Sequence, residues 1–103
     1  MAGTLTTTSH SEPSLCIPHA RQDTNGEQVK SVLEKLLGNG CIARVDECQL
    51  RDPRDQGYFK RYFVHFRKWS EASEATRQKI LSGQTINIVY DSPWFWKCSA
   101  ARP

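Results

Sequence analysis

The chain has 103 residues, of which 38% are hydrophobic, 24% charged and 10% aromatic, and its formal net charge is +3. That length excludes two full-size domains, that aromatic load excludes a disordered chain, and no apolar run reaches the roughly 18–20 residues of a membrane-spanning helix. Residues 1–13 are Ser/Thr-rich with only Leu5 strongly apolar, which is no signal peptide, so the expected location is intracellular, nuclear or cytoplasmic.

Taken in chain order, residues 1–13 lack hydrophobic periodicity and read as a flexible tail ahead of one domain over 14–103. Ser14–Ala20 is a predicted strand with Leu15 and Ile17 on one face and Cys16 and Pro18 on the other; Pro18 keeps it short or bulged. Asp23, Thr24 and Asn25 are suited to cap a helix. Val29, Val32, Leu33, Leu36 and Leu37 form its amphipathic stripe, and Gly38-Asn39-Gly40 ends it. Cys41–Leu50 is a strand anchored by Ile42 and Val45, and Arg51–Gly57 is a charged hairpin loop. Tyr58–Trp69 alternates, with Lys60, Tyr62, Val64 and Phe66 on one face and Phe59, Arg61, Phe63 and His65 on the other. Ser70–Ser82 is a second helix with Ala72, Ala75, Thr76, Ile80 and Leu81 inward, stopped by Gly83. Thr85–Tyr90 is a short strand, Asp91-Ser92-Pro93 a turn, and Trp94–Ala100 the last strand.

This order predicts an α+β, ferredoxin-like βαββαβ sandwich: a four-stranded antiparallel sheet with two helices on one face. The other face is left open for a partner. Leu15, Ile17, Val64 and Phe66 are expected under the helices with Val29, Val32, Leu33, Leu36 and Ile80.

Charge is distributed unevenly. Residues 1–50 carry four Lys/Arg against six Asp/Glu, and residues 51–103 carry ten against five, a balance of +5. That basic half also holds Phe59, Phe63, Phe66, Trp69, Trp94, Phe95 and Trp96. Interleaved cations and flat rings suit phosphates and bases.

The four cysteines are Cys16, Cys41, Cys48 and Cys98. Cys16 and His19 have Cys-x-x-His spacing, but there is no tight Cys-x-x-Cys pair, so free thiols, no metal and no other cofactor are expected. Nor does an active-site signature surround Cys16 and His19, and His65 reads as a polar residue of the strand surface; the protein is not expected to be an enzyme. Trp94 and Trp96 suit core or sheet-edge packing. Trp69 either caps the core or anchors a partner protein.

With these elements in place, Phe63-Val64-His65-Phe66 resembles the end of the third-strand octamer of the RNA recognition motif family. Gly40-Cys41-Ile42-Ala43-Arg44-Val45 resembles that family's second strand, Leu15-Cys16-Ile17-Pro18-His19-Ala20 stands where its first-strand hexamer belongs, and Trp96–Arg102 resembles its last strand. The run Val89–Lys97 also resembles small proteins of this kind encoded by large DNA viruses, whose setting would be an infected host cell. Two of the family's stacking positions depart from its pattern, with Arg61 in place of the octamer's first open-face aromatic and Cys16 in place of the hexamer's; Tyr62 replaces the small residue between.

The resemblance implies an open sheet face that binds single-stranded RNA. Phe63 and Phe95 would stack bases, Lys60, Arg61, Lys97 and Arg102 would hold phosphates, and His65 would lie on the same face. With two platforms missing and each stacked base worth roughly 1–3 kcal/mol, the expected binding is weak and unspecific. The alternative is a protein–protein interaction module on a degenerate version of the same fold.

Overall fold

The computed structural model describes residues 11–54 and 57–101. The chain forms β1 (Leu15–Ala20), α1 (Gly26–Leu37), β2 (Ile42–Arg51), β3 (Tyr58–Phe66), a 3-10 turn (Glu71–Ser73), α2 (Glu74–Leu81), β4 (Ile86–Asp91) and β5 (Trp94–Ala100). The strands make one sheet in the order β2-β3-β1-β5-β4, and every pair is antiparallel. The sheet thus has five strands, where four were expected. The turn after β4 doubles the chain back, so Ile86, Asn87, Ile88 and Val89 pair with Cys98, Lys97, Trp96 and Phe95 and add an outer strand. The architecture is α+β and compatible with the ferredoxin-like arrangement.

Period-2 alternation builds the core. Leu15, Ile17, Tyr62, Val64, Phe66, Trp96 and Cys98 point inward, where Val29, Leu33 and Leu37 of α1 and Ile80 of α2 cover them. Both helices therefore pack on the same face. Pro18 has the expected effect: the register of β1 against β3 shifts between Ile17 and Ala20.

α1 starts at Asn25, whose side-chain oxygen accepts a 2.8 Å hydrogen bond from the Gln28 amide. It ends at Gly38, where φ is +143° and an added Cβ would meet the Ser70 Cβ at 2.9 Å. Asn25→Ala is expected to cost about 0.5–2 kcal/mol by urea denaturation, and Asn25→Ser to recover most of it. A loss below a few tenths of a kcal/mol would show that the cap is not formed.

One residue of the α1 stripe departs from expectation. Leu36 is 55% exposed. It lies two turns beyond Val29 on the same helix face, but the last turn of α1 stands beside β4, where no described element covers it.

α2 is also rotated from the expected setting. Ala72, Ala75 and Leu81 are exposed, and the buried residues are Ser73, Arg77 and Ile80. The first turn is 3-10, which shifts the phase of residues 71–73. Arg77 is buried because its Nε donates to the Glu12 carbonyl at 2.7 Å and its Nη1 meets the Glu74 carboxylate at 3.1 Å.

Trp69 is 1% exposed, stacked on Phe66 at 3.9 Å, and its Nε1 donates to the Pro13 carbonyl at 3.0 Å. It caps the core, which removes it as an exposed anchor. Most of the expected 1–13 tail lies outside the described residues, but Glu12 and Pro13 are tied to the domain through Arg77 and Trp69.

Candidate nucleic-acid interface

The face of the sheet opposite the helices is built by β3. Its alternation turns Phe59, Arg61, Phe63 and His65 outward. Register then sets their neighbours: Phe63 lies between Cys16 of β1 and Asp46 of β2, Arg61 pairs with Cys48, and His65 pairs with Arg44. On β5, Phe95 and Lys97 face the same way, opposite Val89 and Asn87 of β4. Phe95 is 50% exposed and Phe63 half-buried. Among the described residues no element packs over this surface.

One of the expected phosphate ligands, Lys60, is not found there. Lys60 alternates with Arg61 and points to the helix side, where its Nζ donates to the Thr24 carbonyl at 2.6 Å and lies 3.6 Å from Glu47. Tyr62 joins the same cluster, its hydroxyl 2.7 Å from Glu47 and 3.0 Å from the Thr24 carbonyl. Burial, and then Glu47, push that phenol well above its usual range. These two side chains pin the β1–α1 turn rather than serve the open face. Arg102 lies outside the described residues.

At the β2 side of the face, His65 is held at both nitrogens: Nδ1 is 3.0 Å from the Ser14 hydroxyl and Nε2 is 2.9 Å from Asp46. Asp46 also takes both ends of the Arg44 guanidinium, at 2.9 and 3.1 Å. Desolvation pushes the Asp46 carboxyl up, but hydrogen bonds from His65 and Arg44 outweigh it and hold the group below the usual carboxylate range. Asp46 is thereby neutralised by its neighbours. Arg61 sends its Nε to the Pro18 carbonyl at 3.3 Å, drawing the guanidinium towards β1. Among the described residues no carboxylate pairs with Arg61 or Lys97. The face therefore offers two rings and two cations to an anionic, flat ligand.

Several residues escaped the sequence reading. Asp46 and Arg44 could have been found from the alternation of β2, which places Arg44, Asp46 and Cys48 on one face. At the end of the sheet His19 stacks on Phe59 at 4.3 Å, and these two line an open depression of about 390 Å³ with Arg21, Asp52 and Tyr58. The β1 irregularity after Ile17 turns His19 over Phe59, and only Pro18 signalled it. Trp94 is 54% exposed, with the Arg21 guanidinium 5.7 Å from its ring centroid, whereas Trp96 is buried against Tyr90.

The thiols divide by depth: Cys48 is exposed, Cys16 half-buried, Cys41 and Cys98 buried. Burial pushes the Cys98 thiol up to about 12, with the nearby Cys16 adding to it. Burial also raises Cys16, against the opposing charge of Arg61. A thiol-reactive dye at neutral pH should therefore label Cys48 first and Cys98 only on unfolding, read by peptide mass mapping. Early labelling of Cys98 would contradict this packing.

No family model, curated protein or solved structure matches the chain. The fold and face define an α+β protein with one five-stranded antiparallel sheet, helices on one side and an aromatic, cationic surface on the other. No described helix is long and apolar enough to cross a membrane.

Proposed function

We propose that the open face binds single-stranded RNA, weakly and with little sequence preference. The observation that carries this reading is the arrangement on β3 and β5. Phe63 and Phe95 face outward, and Arg61 and Lys97 lie on the same surface with no described carboxylate taking up their charge. Phe63 and Phe95 stack bases, Lys97 holds phosphate, and Arg61 holds phosphate or lies flat on a base. The resemblance of Phe63-Val64-His65-Phe66 to the RNA recognition motif supports RNA as the substrate class, and the +5 balance of residues 51–103 independently favours an anion. Asp46 takes up the charge of Arg44 at the β2 edge, which keeps the positive surface small and agrees with weak binding.

Fluorescence anisotropy with a pool of short single-stranded oligoribonucleotides tests the proposal. Binding should appear at low salt and weaken steeply as salt rises. Lys97→Ala should weaken all sequences about equally and reduce the slope of log affinity against log salt by about one unit. Absence of binding at low salt would overturn the reading.

A protein-binding role for the same face is the second reading. It is favoured by the cross-strand pair Val89–Phe95, which is exposed at 52% and 50% and carries no charge. A partner that survives nuclease treatment and is lost in Phe95→Ala would support it.

A further inference from the structure

Among the described residues six large apolar side chains are well exposed, and three of them, Leu36, Leu81 and Val89, lie around the outer strand β4 or at the ends of the helices beside it. Between α1, α2 and β4 runs an open groove of about 590 Å³ lined by Leu36, Thr76, Lys79, Ile86, Ile88 and Val89, among others. Leu36 has the angular position of a core residue, and no described residue covers it. The same groove borders a sheet edge that is free among the described residues, where β4 pairs with β5 alone.

The two edges of the sheet differ in chemistry. The β2 edge carries Arg44, Asp46, Glu47 and Arg51, charges of the kind that discourage another strand from docking. The β4 edge reads Ile86-Asn87-Ile88-Val89-Tyr90 before its first charge at Asp91. It has no Lys, no Pro and no charge across five residues. An unprotected edge next to exposed leucines is what a strand-pairing interface requires.

We propose that β4 pairs antiparallel with β4 of a second copy of this chain, joining two sheets into one of ten strands. The occupant follows from charge and symmetry. Antiparallel edge pairing places a two-fold axis normal to the sheet, so both copies keep their helices on the same side. A register centred on Ile88 sets Ile86 against Tyr90 of the partner on the helix side and Asn87 against Val89 on the open side. No like charges meet along the neutral strand, whereas elsewhere the net charge of +3 makes two copies repel. The last turns of α1 and α2 then approach their symmetry mates, and Leu36 and Leu81 gain the apolar cover they lack in one copy. The inference stands apart from RNA binding, although the pairing would merge two open faces into one longer surface.

Sedimentation equilibrium of the full chain over a wide concentration range is the test. The chain should show a reversible association to twice its 11.8 kDa mass. Leu36→Lys and Val89→Lys, both at exposed positions, should each leave a folded monomer by circular dichroism. Amide hydrogen exchange supplies a second readout: the outward amides of Ile86–Tyr90 should be protected at high concentration and lose that protection on dilution. A wild-type chain that stays monomeric at the highest concentration overturns the proposal. So does a dimer that survives both substitutions, or β4 amides whose exchange does not depend on concentration.

Discussion

Trp69→Ala is expected to destabilise the domain by about 3–5 kcal/mol, the range for removing a large aromatic from a packed core. The indole is 1% exposed and lies flat on Phe66, with ring planes 12° apart. Truncation leaves a void that Phe66 and the 3-10 turn cannot fill without moving. It also frees the Pro13 carbonyl, which the indole N–H satisfies. A domain of this size has about 5–15 kcal/mol of total stability, so the variant should unfold at a much lower urea concentration, and the segment Glu12–Pro13 should become sensitive to proteolysis. Trp69→Phe keeps most of the stacking area and loses the hydrogen bond, so its cost should be smaller, about 0.5–1.5 kcal/mol for the bond plus the lost ring area. The order Ala well above Phe is what circular dichroism melts must show. Equal and small losses would mean that Trp69 is not part of the core.

Phe63→Ala should weaken oligonucleotide binding by about 1–3 kcal/mol, the value of one stacked base, which is about 5- to 150-fold in affinity. Phe63 is the central ring of the open face, flanked by Cys16 and Asp46 in the strand register. Its side chain does not enter the core, so folding should be nearly unaffected and the loss should appear in binding alone. The salt dependence should stay unchanged, because no cation is removed. That separates Phe63 from Lys97, whose loss changes the slope. Unaltered affinity in Phe63→Ala would move the contact elsewhere, and the His19–Phe59 stack, in which His19 is exposed and Phe59 half-buried, and Phe95 would be the next rings to substitute.

Much of this fold was legible in the sequence because one face of each element is buried and the other is not. The alternation over Tyr58–Phe66 identified the inward set Tyr62, Val64 and Phe66 and the outward set Arg61, Phe63 and His65, since a one-residue slip would exchange every side chain. The stripe of Val29, Val32, Leu33, Leu36 and Leu37 identified α1, and Asp23-Thr24-Asn25 and Gly38-Asn39-Gly40 bracketed its ends; the structure selects Val29, Leu33 and Leu37 as the buried line and Asn25 as the cap. The same alternation already separated Lys60 from Arg61. A list of phosphate ligands built on charge alone joined them, and the structure places them on opposite sides of the sheet.

Other features depend on partners remote in sequence. Arg77 reads as a surface residue of a helix, yet it is buried because the Glu12 carbonyl, 65 residues away, accepts its proton. The rotation of α2 follows from that contact and from Ile80 docking, and the local pattern of Ala72 and Ala75 carried no information about either. Trp69 could equally have been core or anchor until Phe66 and Pro13 enclosed it. The length of the sheet was decided by a contact nearer in sequence. The residues of β4 have strand character on their own, and the turn at Ser92-Pro93 with the pairing to β5 makes them a fifth strand at an edge that no described element covers. Local sequence thus determined which residues take strand or helix form and which way they face. Tertiary contacts decided which of those faces found cover, since burial of a side chain needs a second surface that its own element cannot supply.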